Sequence, residues 1–211
     1  IVRLNSNGTT DTTFGGGMVK TCSGTAGISA TTRPNANAYA IAIQSDGKPV
    51  VAGSVNGSAY DFVVARYNLD GTLDTSFKNT GAAVTSFGAA TKRFYAVNIQ
   101  SDGKIVAAGL AAGTNYDFAV ARFLPNGQLD NTFAGTGAKL FPVGSNHDYA
   151  QALIIQSDNK IVVSGHSLVG GYGDFSAIRL QENGTFDNGF GTSGKVIFPM
   201  GTNIDQAFAL Q

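Results

Sequence analysis

Apolar residues come in short runs broken by Gly, Asn, Asp and Pro, and each run is too short for a helix with one buried face. In mid-chain, Tyr95–Gln100 is followed by Asp102-Gly103 and then by Ile105–Gly109. Asp-Gly between two apolar runs predicts a β-hairpin, here with a type I′ turn in which both residues take positive φ. Asp117–Phe123 comes next and is ended by Pro125-Asn126-Gly127, and a last strand is expected at about Ala138–Val143. Four short strands with turns about every 8–12 residues is the rhythm of a β-propeller blade.

The pattern repeats. Ile43-Gln44-Ser45-Asp46-Gly47-Lys48 returns at Ile99–Lys104, and again at Ile155–Lys160 with Asn159 for the turn Gly, a period of 56 residues. Asp61-Phe62, Asp117-Phe118 and Asp174-Phe175 each lead, five residues on, to Arg66, Arg122 and Arg179, and Arg3 ends the same phrase at the start of the chain. Asp11, Asp74, Asp130 and Asp187 each precede Phe14, Phe77, Phe133 and Phe190 by three. Such self-similarity means stacked supersecondary units, because a lone unit cannot bury both of its faces. The expected fold is all-β: tandem four-stranded antiparallel blades, about four repeats forming a β-propeller, with an open blade array as the alternative. The whole of 1–211 reads as one repeat domain, with 1–42 a partial blade plus loop and 43–98, 99–154 and 155–210 the repeats. The extra residues in the first interval fall around Thr21–Asn35 and read as a surface loop. The closing Ala207–Gln211 matches Ala152–Gln156, a first strand.

Composition agrees with strands and turns. Gly is 28 of 211 residues and charged residues are 13%, against about 7% and about 25% in typical soluble domains. The formal net charge of +0 gives nothing to steer the chain to nucleic acid or an anionic membrane, and near-zero charge favours self-association. The single cysteine, Cys22, excludes a disulfide within the chain and any cysteine-based metal site. No apolar run reaches the ~18 residues of a membrane-spanning helix. The start at Ile1, without Met or signal peptide, reads as a processed protein or a fragment. In phase, the chain begins in the third strand of one unit and ends in the first strand of another, so a second strand is wanting. Either a longer array continues the repeat, or a partner strand fills the place by β-augmentation.

At Asp61-Phe-Val-Val-Ala-Arg66, Leu73-Asp-Thr-Ser-Phe77 and Ile99-Gln-Ser-Asp-Gly-Lys104 the sequence resembles the delta-60 repeat family. The resemblance covers nearly the whole chain. It implies propeller-like repeats of large, often secreted or surface-associated bacterial proteins, and it brings no catalytic residues to transfer.

Candidate chemistry is sparse. Asn68, Asp70 and Asp74 have a faint calcium-loop spacing, but their counterparts replace the first ligand by Leu124 or Gln181, and no distal bidentate Glu follows. A tight turn with an Asp accepting from backbone amides accounts for them as well. An Arg and an Asp repeated in every unit suit a structural brace, because an active site needs different groups converging at one point. The repeated Phe residues are expected as core plugs. His147 and His166 are the only imidazoles for acid–base work near neutral pH. Asp148, Ser164 and Ser167 lie beside them, so a Ser-His-Asp grouping is one reading and exposed histidines in polar loops the other. Neither a Gly-x-Ser-x-Gly elbow nor an HExxH motif occurs. The Gly189…Gly194-Lys195 spacing of a phosphate loop has Val196 where Ser or Thr would bind magnesium, and the Gly170–Gly173 run is too loose for a nucleotide loop. Asn7, Asn56 and Asn183 head Asn-x-Ser/Thr sequons, candidate glycosylation sites in turns.

With no catalytic residue and no cofactor beyond the calcium candidates, the leading expectation is a non-catalytic structural or interaction module. It would belong to a secreted or cell-surface bacterial protein, with protein partners that include copies of itself through shared β-strands. The rival is a ligand-binding or hydrolytic propeller that uses its central mouth, with His147 or His166 among non-repeated polar groups converging there.

Overall fold

In a computed structural model of the 211-residue chain, residues 1–19, 36–56, 60–87, 91–199, 205 and 207–210 are described. The expected loop around Thr21–Asn35, with Cys22, lies outside them. Among the described residues, twelve strands form three four-stranded antiparallel sheets. The first holds β1 (Ala36–Ile43), β2 (Pro49–Asn56), β3 (Tyr60–Arg66) and β4 (Ala82–Thr85). The second holds β5 (Lys92–Ile99), β6 (Ile105–Ala112), β7 (Tyr116–Phe123) and β8 (Ala138–Phe141). The third holds β9 (Asp148–Ile155), β10 (Ile161–Val169), β11 (Tyr172–Leu180) and β12 (Lys195–Phe198). Each sheet is a meander in chain order. Ile43, Ile99 and Ile155 end the first strand of their sheets, equivalent places in one repeat.

Three points differ from expectation. Among the described residues there are three complete blades rather than four, and the sheets do not close on one another. Ile1–Val19 keeps only a remnant of a blade: Ile1 and Val19 exchange N–H···O bonds of 2.8 and 2.9 Å, and Leu4 bridges to Thr10. Residues 207–210 are not in a strand, whereas the equivalent β1, β5 and β9 are each held by a second strand. Without such a partner among the described residues, the backbone has no ladder to join. The Asp-Gly hairpins are also not type I′. Gly47, Gly103 and Asn159 have φ of 84, 81 and 63°, but the preceding Asp residues are not at positive φ. Gln44 N–H bonds to Lys48 O at 3.0 Å and Gly47 N–H to Gln44 O at 2.9 Å, which makes a three-residue loop closed by one left-handed residue. The Asp favours this loop because its carboxylate accepts the amide two residues on: Lys48 N–H to Asp46 Oδ1 is 3.0 Å.

The core lies between sheets. Val50, Phe62 and Val64 of the first sheet, with Phe77 from the β3–β4 connection, pack on Phe94, Ala107 and Phe123 of the second. Val106, Phe118 and Val120 of the second, with Phe133 from the β7–β8 connection, pack on Ala150, Ile161 and Ile178 of the third. The middle strands β2, β3, β6 and β7 are buried almost throughout because they have a neighbour on both faces. That explains continuous apolar runs where alternation would mark a half-exposed sheet.

Candidate functional site

The recurrent charged residues form one device, present four times. Arg66 Nε donates to Asp74 Oδ2 at 2.8 Å, its Nη2 reaches Ser76 Oγ at 3.1 Å, and the guanidinium lies 4.9 Å from the Phe77 ring centroid. Arg122 repeats this with Asp130, Thr132 and Phe133, and Arg3 with Asp11, Thr13 and Phe14. Arg179 holds Asp187 at 2.7 Å and stacks on Phe190. The free edge of the guanidinium crosses to the next unit in three of the four. Arg3 Nη1 donates to Leu69 O and Arg66 Nη1 to Pro125 O, both at 2.6 Å, and Arg122 Nη1 donates to Glu182 O. The residue after each Phe is left-handed, at φ 57, 54, 51 and 54° for Gly15, Lys78, Ala134 and Gly191. That conformation turns its N–H outward: Gly15 bonds to Asp70 O, Lys78 to Asn126 O and Ala134 to Asn183 O, at 2.7–2.8 Å. Gly127 and Gly184 of those turns lie so close to Phe77 and Phe133 that a Cβ would come within 3.0 and 2.8 Å of the rings.

This geometry locates the calcium candidates. Asp70 Oδ1 accepts from Thr72 N–H and Oγ1, at 2.9 and 2.7 Å. Asp74 gives Oδ2 to Arg66 and Lys48 and Oδ1 to Ser76, while Asn68 Nδ2 bonds to Thr72 Oγ1. Asn68 and Asp70 therefore both turn to Thr72, while Asp74 turns away to two cations and Ser76. Burial alone raises the Asp74 carboxyl, but Lys48, Ser76 and Arg66 more than offset it and hold the group well below its ordinary value. Of the sequon residues, Asn7 and Asn183 sit exposed in turns and accept from Thr9 and Thr185, and Asn56 ends β2 half-buried.

One place breaks the repeat, at the end of the sheets where first strands begin and third strands begin. Between the first and second sheets, Lys92 Nζ meets Asp61 Oδ1 at 3.2 Å. Between the second and third, the equivalent of Lys92 is Asp148, facing Asp117. Burial raises the Asp117 carboxyl and Asp148 raises it further, with His147 and Lys195 opposing. Asp148 is fully buried and accepts from Val143 N–H at 2.7 Å and Gly144 N–H at 3.0 Å. Around it, Tyr116 N–H donates to His147 Nδ1 at 3.0 Å, and the Tyr116 and His147 rings are 5.2 Å apart. Tyr149 stacks on His166 at 4.6 Å with planes 11° apart.

Of the two readings of the histidines, a Ser-His-Asp grouping or exposure in polar loops, the second fits only the place of His147, in the loop before β9 and half-buried. Instead His166 lies within β10 and is 7% exposed, at the register of Ser54 in β2 and Leu110 in β6. A buried middle strand admits an imidazole there because Tyr149 covers its face. Burial lowers the His166 pKa, against a smaller opposing effect of Asp148. Its Nδ1 has no hydrogen-bond partner among the described residues. Tyr116 and Tyr149 were missed as members of this cluster. The available signal was positional, since residues 147, 148 and 166 differ in kind from their repeat equivalents. The Ser-His-Asp grouping does not assemble as a relay: Ser167 Oγ bonds to Ser176 Oγ at 2.9 Å, and Asp148 faces backbone amides. Among the described residues, no group of three or more His, Cys, Asp or Glu is placed to hold a metal ion. Among the described residues, no helix is long and apolar enough to cross a membrane.

A family model described as "Domain of unknown function (DUF5122) beta-propeller" matches residues 1–14, 44–77, 100–133 and 156–190, together more than half of the chain. Its last three segments run from the hairpin after the first strand to the Phe of the Arg–Asp–Phe device. No curated protein matches the chain. Among solved structures the chain is similar to selenomethionine-substituted virginiamycin B lyase from Staphylococcus aureus. The identity is 14% and the TM-score 0.32, covering 78% of this chain and 56% of the length of that one.

Proposed function

The chain belongs to the DUF5122 beta-propeller family, and on that premise we propose that it is a non-catalytic interaction repeat module, of the delta-60 type, in a secreted or cell-surface bacterial protein. The observation that carries this reading is the use made of its charged residues. The Arg and Asp of every unit brace their own hairpin, and three of the four Arg residues also clamp a turn of the next unit. Such a chain is a stiff stack whose variable surfaces are turn tips and sheet faces, and repeat proteins of this build bind other proteins through such surfaces.

Fractionation of the producing cells, with protease treatment of intact cells, tests the placement. The expected result is protein in the medium, or protein cleaved at the cell surface. Recovery in the cytosol alone overturns it.

A ligand-binding reading has one observation in its favour, the buried Nδ1 of His166 beside Tyr149, without a hydrogen-bond partner among the described residues. With only two histidines in the chain, their NMR signals would report a ligand at that cluster directly.

A further inference from the structure

The two junctions between sheets use the same four positions of the 56-residue repeat and fill them differently. At the first junction β3 brings Tyr60 and Asp61, and β5 of the next sheet brings Lys92 and Arg93. Lys92 Nζ reaches Asp61 Oδ1 at 3.2 Å, and the Arg93 guanidinium lies 5.1 Å from the Tyr60 ring centroid. A carboxylate and a ring thus receive two cations from within the chain.

At the second junction the receivers are kept, as Tyr116 and Asp117 of β7, but the cations are replaced by Asp148 and Tyr149 of β9. The middle sheet packs on a neighbour at each face, so both junctions lie inside the stack. Asp148 spends its carboxylate on the Val143 and Gly144 amides. No described group donates a hydrogen bond to Asp117; burial and Asp148 raise its carboxyl, and His147 and Lys195 oppose this through space alone. Lys195 is engaged elsewhere, with Nζ on Pro142 O at 2.6 Å and 5.0 Å from the Phe186 ring centroid.

Three rings stand at this place. The centroids of Tyr116, His147 and Tyr149 are 5.2, 5.5 and 6.3 Å apart, and their planes are tilted by 46, 43 and 57°, so they form the walls of a corner. His166 stacks on Tyr149 and fixes that wall from behind. Tyr116, Asp117, His147 and Tyr149 are each half-buried, which leaves the corner open to a partner.

We propose that the second junction docks a partner protein through a basic segment, whose Lys and Arg side chains take the places that Lys92 and Arg93 fill at the first junction. One cation pairs with Asp117. The other settles among the three rings, within about 6 Å of their centroids, the reach of cation–π attraction. Charge selects this class of partner, because an acidic segment would meet Asp117 and Asp148 with a further negative charge. The inference rests on the reading of the protein as an interaction module and names the chemistry of what it binds.

Titration of the 211-residue chain at low ionic strength with a short synthetic peptide of alternating Lys and Arg tests it. The expected result is saturable binding that shifts the His147 NMR signals, while a Glu-rich peptide of equal length leaves them in place. Asp117→Asn weakens binding about tenfold or more, the worth of a charge-assisted hydrogen bond. It leaves the thermal midpoint level or raises it, because a carboxylate facing Asp148 is removed. Tyr149→Arg supplies the equivalent of Arg93 from within and abolishes binding by filling the place. Asp61→Asn, at the occupied junction, lowers the midpoint and leaves binding unchanged, which separates loss of the site from loss of fold. Absence of saturable binding overturns the proposal, as does binding that ignores both Asp117→Asn and Tyr149→Arg. Spermidine bound as tightly as the peptide, with the same dependence on Asp117, overturns the protein partner in favour of a free polyamine. The interaction-module reading, tested by cell fractionation, stands or falls separately.

Discussion

His166 shows how one residue in a repeat acquires a property its equivalents lack. Burial disfavours the charged imidazole, so the folded protein binds that proton less readily than the unfolded chain does. Above the ordinary histidine value of 6.5 both states are neutral and pH has no leverage. Below it the unfolded chain takes up the proton first, and stability falls as pH drops toward the lowered folded value. Asp117 works in the opposite sense, since its raised carboxyl makes the folded state the better proton binder at acid pH. His166→Leu places at this register the residue that β6 already carries as Leu110. The substitution keeps the fold and removes the loss of stability between about pH 6.5 and about pH 5.5; urea denaturation of both proteins at the two pH values checks it.

Each sheet contains a glycine that geometry demands. Gly53, Gly109 and Gly165 lie in the second strands where the first strand slips register, between Ala38 and Ala40, Phe94 and Ala96, and Ala150 and Ala152. The bulged strand comes so close that a Cβ on Gly109 would sit 1.8 Å from the Arg93 carbonyl oxygen. That obstacle is backbone, which cannot swing away as a side-chain tip can, and the bulge sends Tyr95 toward Tyr39, 4.9 Å away. Gly109→Ala is therefore expected to destabilise by about 3 kcal/mol, the upper part of the usual overpacking range. A lowered urea midpoint with an unchanged slope would show this; an unaltered midpoint would mean that the bulge is not rigid.

Stacked sheets that touch only their neighbours gain stability from each unit and each junction. The clamps differ in burial. The Arg122–Asp130 side chains are 3% and 4% exposed, whereas Arg3 is 38% exposed. Removing Arg122 leaves Asp130 as a buried charge without its cation and takes the donor from Glu182 O, so Arg122→Ala is expected to cost about 3–5 kcal/mol. Arg3→Ala, at a screened site, is expected to cost about 1 kcal/mol or less. Equal effects of the two in urea denaturation would contradict the view that burial of the junction, and not the ion pair alone, carries the stabilisation.

Strand positions, the repeat period and the bracing Arg, Asp and Phe were legible in the sequence, because apolar patterning and turn chemistry act over a few neighbouring residues. A residue such as Phe133 announces itself by recurrence. The hairpin type at Gln44–Lys48 was misread because Asp-Gly suits two loops, and the Asp46 carboxylate on the Lys48 amide selects between them. The acceptors of Arg66 and Arg122 lie 59 and 60 residues away, and the meeting of Asp117 with Asp148 or of His166 with Tyr149 needs two strands or sheets in one register. Such contacts have no local trace, since they arise only when sheet faces are pressed together. The number of complete blades belongs with them, because a strand exists only where a partner offers its ladder of amides and carbonyls.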